Sequence, residues 1–140
     1  MECKCNTHTH EACGPRLSEK EERRYMDSAI VNILGDFPER KGSLEEIDQS
    51  FNFGELYQND RQLHWKEIKR SGSVIAANKE HVQFSSEAVI HCIQVVDMQL
   101  DGENAEVIVE DGGIGQKNVL LRLKSLRNRN MHCLVIIWGQ

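Results

Sequence analysis

Five side chains able to hold a soft or borderline metal fall within eleven residues: Cys3, Cys5, His8, His10 and Cys13. Any four of them arranged as a tetrahedron would satisfy zinc, so the cluster is a weak candidate zinc site in a chain otherwise expected to hold no cofactor. Its spacing departs from the familiar fingers. Cys3-x-Cys5 closes a tighter loop than Cys-x2–4-Cys, and no second pair follows in Cys-x2-Cys or His-x3–5-His form. Adventitious binding to a flexible tail, or no metal role at all, are the competing readings.

Two later dipeptides, His91-Cys92 and His132-Cys133, lie in strand-like surroundings. Neighbouring residues on a strand point to opposite faces, so each dipeptide offers only one side chain to any shared site. Buried structural thiols are the simplest reading of Cys92 and Cys133. A disulfide between them, which needs an oxidising compartment, is a second reading, and a metal or redox role is a third. No nucleophile elbow and no His-Glu-x-x-His pair occurs, so the expectation is a protein that is not an enzyme. Gly112-Gly113-x-Gly115 follows a strand pattern but opens no helix, which points to a turn or bulge rather than a dinucleotide site.

The charges are distributed unevenly. The chain of 140 residues has 17 basic and 22 acidic side chains, for a net charge of -5. Beyond residue 115, however, Lys117, Arg122, Lys124, Arg127 and Arg129 occur with no Asp or Glu. These five are candidates for docking an acidic protein or phosphate-bearing partner, against the plainer alternative of a solvated sheet face. Specific nucleic-acid binding is not expected. The overall charge is unfavourable, and the helix most available as a reading element carries Glu19, Glu21 and Glu22 at its start.

The elements that must position these groups follow from pattern. Residues 1–17 read as a flexible Cys/His-containing tail, residues 18–52 as a helical extension and residues 53–140 as an antiparallel β domain. Ser18 and Glu21 form a capping box, and Tyr25, Met26, Ala29, Ile30, Ile33 and Leu34 recur at helical steps up to Gly35. A second capping box, Ser43 to Glu46, predicts a short helical turn grouping Leu44, Ile47 and Phe51. Strands are expected around Leu63–Ile68, Val74–Ala77, His81–Phe84, Ala88–Met98, Ala105–Glu110, Val119–Lys124 and Met131–Trp138. Asp101-Gly102 is a hairpin-type turn signal. Ala88–Met98 is apolar on both faces, with Val89, Ile93 and Val95 set against Ile90, Cys92 and Val96, as a central strand requires. Six to seven short strands without intervening helices predict a mostly β fold, an antiparallel sandwich or partly open barrel, with the helix covering an edge or face.

No secretory leader and no membrane-length apolar run is visible. The expected compartment is the nucleus or cytoplasm, or outside the cell if the native start carries a signal peptide.

From Phe53 to Gly139 the sequence resembles the insect transcription activator family founded on multiprotein bridging factor 2. The likeness rests on Gly54-Glu-Leu…Asn59-Asp60-Arg61, the Ile90–Asp97 strand and Ala105-x-Val107-x3-Asp111-Gly112-Gly113-x-Gly115. Its most characteristic block is Val119-x-Leu121-x-Leu123-x-Ser125-x-Arg127-x-Arg129…Leu134-x-Ile136…Trp138-Gly139. Asn130 stands where the pattern usually has glycine, and Trp138 where it usually has tyrosine. The resemblance implies a non-enzymatic β domain acting as a coactivator. It would link a sequence-specific factor, through a bridging protein, to the general transcription machinery without reading DNA bases or entering a membrane. A small secreted or soluble β protein with a ligand-binding or defence role is the alternative.

Overall fold

The computed structural model describes residues 14–34, 50–98 and 105–140. The expected Cys/His tail up to Cys13, the Ser43–Glu46 turn and the Asp101-Gly102 hairpin lie outside the described residues. Among the described residues, one helix, α1 (Glu19–Leu34), precedes seven strands: β1 (Ser50–Gly54), β2 (Arg61–Arg70), β3 (Lys79–Ser85), β4 (Ile90–Asp97), β5 (Glu106–Gly112), β6 (Asn118–Lys124) and β7 (Met131–Gly139). All pairings are antiparallel. They form a four-stranded sheet in the order β1-β4-β7-β2 and a three-stranded sheet in the order β3-β6-β5. Both sheets are open, so the sandwich reading holds over the barrel.

The layers follow from where apolar side chains alternate. Ile68, Val82, Ile93, Val95, Leu121, Leu123, Cys133, Val135 and Ile137 fill the space between the sheets. On the other face of the four-stranded sheet, Cys92, Val96, Leu134, Ile136 and Trp138 meet Met26, Ala29 and Ile30 of α1, together with Leu56 and Leu17. The helix therefore covers a sheet face rather than an edge. β4 and β7 are apolar on both sides because one side belongs to each core.

The helix begins where the capping box predicts. Glu21 N–H donates to Ser18 Oγ at 3.3 Å, and the Ser18 hydroxyl donates to Glu21 Oε1 at 2.9 Å. Three acidic residues in its first turn complement the helix dipole. Leu17 N–H donates to the Leu56 carbonyl and Gln58 N–H to the Pro15 carbonyl, tying the helix entry to the β1–β2 connection.

Three sequence expectations change. Val74–Ala77 is loop, not strand, and Val74 and Ile75 are 71% and 84% exposed. Phe51 belongs to strand β1, which pairs with β4, and not to a helical face. Finally, the β4–β7 register slips between Ile90 and Cys92, so a bulge at His91 turns Ile90 to the inner face with Ile93 and Val95.

Candidate functional site

The His91 bulge creates the most chemically dense cluster in the described residues. A His91 ring nitrogen, Nδ1, lies 2.6 Å from Asp60 Oδ1, and both side chains are buried. Gln140 Nε2 donates to the same Asp60 oxygen at 2.9 Å, while the Tyr57 N–H donates to Oδ2 at 2.8 Å. The Tyr57 ring meets His91 edge-on, with centroids 4.9 Å apart. Burial raises the Tyr57 hydroxyl above its ordinary pKa of 10.0, and Glu55 adds to the shift. The nearest residue by sequence with a nucleophilic side chain, Cys92, faces the helix side of the sheet. What the arrangement does is join three segments: the β1–β2 connection, the β4 bulge and the end of the β7 strand. A carboxylate with this many donors holds those segments in place.

Cys92 and Cys133 are free thiols on opposite faces of one sheet, Cys92 in the helix-side core and Cys133 in the core between sheets. Their strand registers also keep them apart, since Cys92 pairs with Trp138 and Cys133 with Asp97. The disulfide considered from sequence therefore does not form. His132, adjacent to Cys133, pairs instead with Glu67 on β2 at 2.7 Å. Among the described residues no group of three or more His, Cys, Asp or Glu is placed to hold a metal. The five candidate zinc ligands lie outside them.

The basic candidates separate into three places. Lys117 precedes β6, at the end of the sheet opposite Lys124, which closes that strand. Arg122 lies mid-strand, where its Nε is 3.3 Å from Glu110 Oε1, and Glu110 also faces His81 at 3.7 Å. Its charge is answered locally. Lys124, Arg127 and Arg129 cluster at the β6–β7 turn, and there the structure adds a residue that sequence reading passed over. Lys79, the first residue of β3, stands directly opposite Lys124 in the register.

That corner is built by two connections laced together. Asn78 N–H donates to Ser125 Oγ at 3.0 Å, and Ser125 N–H returns a bond to the Asn78 carbonyl at 2.9 Å. Asn128, in the left-handed region at φ 62°, donates from its N–H to the Ser73 carbonyl at 2.8 Å. Gly72 N–H donates to Asn130 Oδ1, also at 2.8 Å. Gly72 is needed for this approach, because a Cβ would sit 2.8 Å from the Arg129 backbone. Asn130, unusual in the resembled pattern, thus supplies a bond that glycine would not.

Between the laced connections lies an open groove of about 440 Å³, lined by the apolar Ile75, Ala76, Ala77 and Leu126 and by the cationic Lys79, Lys124 and Arg127. Leu126 is 56% exposed, so with Ile75 it keeps the apolar part of the groove open to water. This is the candidate docking surface. Only the charge asymmetry was available to point to it. The exposed Val74-Ile75 pair reads as strand because aliphatic residues favour burial.

The comparisons with known proteins bear on the β portion. No curated protein and no solved structure matches the chain. The family model described as "Transcription activator MBF2" matches residues 53–139, more than half of the sequence and nearly the whole of both sheets. The chain belongs to the MBF2 transcription activator family.

Proposed function

We propose that this protein is a non-enzymatic coactivator, a protein-interaction module that joins a sequence-specific factor to the general transcription machinery in the nucleus. Family membership carries the reading. The exposed groove with its apolar and cationic lining supports it, because apolar surface combined with charge is a feature of docking sites. Arg127 supplies charge to the groove, and Arg129 follows it in the same β6–β7 turn. DNA-base recognition is not part of the proposal, since α1 lies packed on the sheet and its first turn is acidic.

The test uses the tagged full chain expressed in its own cells, with nuclear and secreted fractions recovered separately and their co-purifying proteins identified by mass spectrometry. Named components of the transcription machinery are expected in the nuclear fraction. Replacing both Arg127 and Arg129 by alanine should weaken their capture while the fold survives, as a cooperative thermal melt would show. Capture equal to that of the parent would remove the basic turn from the mechanism. Recovery from the medium alone would sink the nuclear role.

A further inference from the structure

We infer that the groove between the β2–β3 connection and the β6–β7 turn binds an acidic peptide segment carrying aliphatic or aromatic side chains. The inference rests on the reading of this protein as an interaction module and specifies the chemistry of its partner. The first observation is charge. Lys79 and Lys124 face each other across neighbouring strands, an arrangement that costs stability through like-charge repulsion, and Arg127 adds a third cation to the same groove. The described ion pairs of the molecule use Arg16, Arg23, Arg70, Arg122 and the histidines His81, His91 and His132, and none uses Lys79, Lys124 or Arg127. The lone carboxylate beside Lys124 in the sheet, Glu106, stands on its far side from Lys79, and Glu80 is engaged by Arg70.

The second observation is the apolar lining. Ile75, Ala76, Ala77 and Leu126 offer aliphatic surface, and Ile75 is 84% exposed in the free protein. A bare phosphate or a nucleic-acid backbone would leave that surface wet, and nucleotide bases prefer aromatic stacking partners, which this groove lacks among its described lining. A segment that alternates carboxylates with apolar side chains satisfies both parts at once. Its carboxylates meet the three cations, and its apolar groups cover Ile75 and Leu126. The backbone bonds between the two connections hold the groove open before the partner arrives, which reduces the ordering cost of binding.

The experiment titrates the full-length protein with a short fluorescein-labelled peptide in which Glu and Asp alternate with Leu and Phe. Anisotropy and amide NMR shifts are the readouts. Binding is expected to shift the amides of Ile75, Leu126 and Arg127, while the Ile114 turn stays unmoved. It should weaken by at least about tenfold for Lys124→Glu or Arg127→Glu, and similarly for Leu126→Ser. A peptide with Ser in place of Leu and Phe should bind more weakly than the parent peptide. Thermal melts of the three variants check that these surface changes leave the fold intact. Equal binding by parent and groove variants would overturn the proposal, as would tighter capture of a single-stranded oligonucleotide. Concentration-dependent shifts of the same amides without peptide would identify a second copy as the occupant and overturn it too. Capture of nuclear transcription components by the parent is measured in parallel, so a failure of the broader interaction reading is seen separately.

Discussion

Burial pushes the Cys92 and Cys133 thiols from the ordinary 9.0 up to about 12; Glu22 and Asp60 reinforce the shift at Cys92, and Asp97 does so at Cys133. Both are therefore expected to resist iodoacetamide at neutral pH and to be alkylated only after denaturation, with peptide mass spectrometry resolving them from the other cysteines. Rapid native labelling of either would contradict their placement. The same shifts carry a pH consequence. Above the ordinary thiol value the unfolded chain releases these protons while the folded chain keeps them, so stability falls as pH rises from about 9 towards 12. Each thiol adds a slope approaching about 1.4 kcal/mol per pH unit in that window. Urea unfolding at neutral and alkaline pH reads it directly, and a flat profile would show that the thiols are hydrated. That Cys92 and Cys133 are buried was readable from their apolar neighbours. Their separation onto two cores needed the neighbouring strands, and the turning of Ile90 away from Cys92 needed the bulge at His91, which alternation alone does not announce.

The helix stabilises the molecule through one narrow stripe. Met26, Ala29 and Ile30 are buried, whereas Tyr25 and Val31 remain 49% and 45% exposed. Ile30→Ala should therefore lower unfolding free energy by about 2–5 kcal/mol, with Val31→Ala nearly neutral as its control. Chemical denaturation measures both, and equal effects would mean that the helix is not seated as described. The helix was plain in the sequence because cap, acidic first turn and apolar spacing agreed. β1 was not, because Phe51 falls four residues after Ile47 and seven after Leu44, a spacing that reads as helix. Its membership in a strand comes from pairing with Val95, a non-local partner. β6 and β7 were the clearest strands, the one alternating and the other apolar but for His132.

Two cores share one pair of strands, and this explains how a chain with an ordinary apolar fraction supports three layers. β4 and β7 serve the helix on one face and the three-stranded sheet on the other. The exposed edge strand β2 carries Arg61, Lys66, Glu67, Lys69 and Arg70, which discourage another chain from adding to the sheet. The proposed docking surface was only half visible beforehand. Arg127 and Lys124 announced themselves as charge, but Lys79 and Ile75 joined them only when the β2–β3 connection was laid against the β6–β7 turn. The strand order also sets a timetable for self-assembly. β5 and β6 are close in sequence and pair locally, but β2 must hold its place until β7 is available, since Arg61 pairs with Gly139 and Arg70 with Met131. Most of the ladder in the four-stranded sheet closes large loops, so refolding from denaturant is expected on the order of milliseconds to seconds rather than microseconds. Stopped-flow tryptophan fluorescence would follow it, with Trp138 reporting the arrival of the last strand. Until that strand docks, the apolar residues of β4 are open to solvent on the side where β7 belongs, and this interval is when the chain is most prone to aggregate.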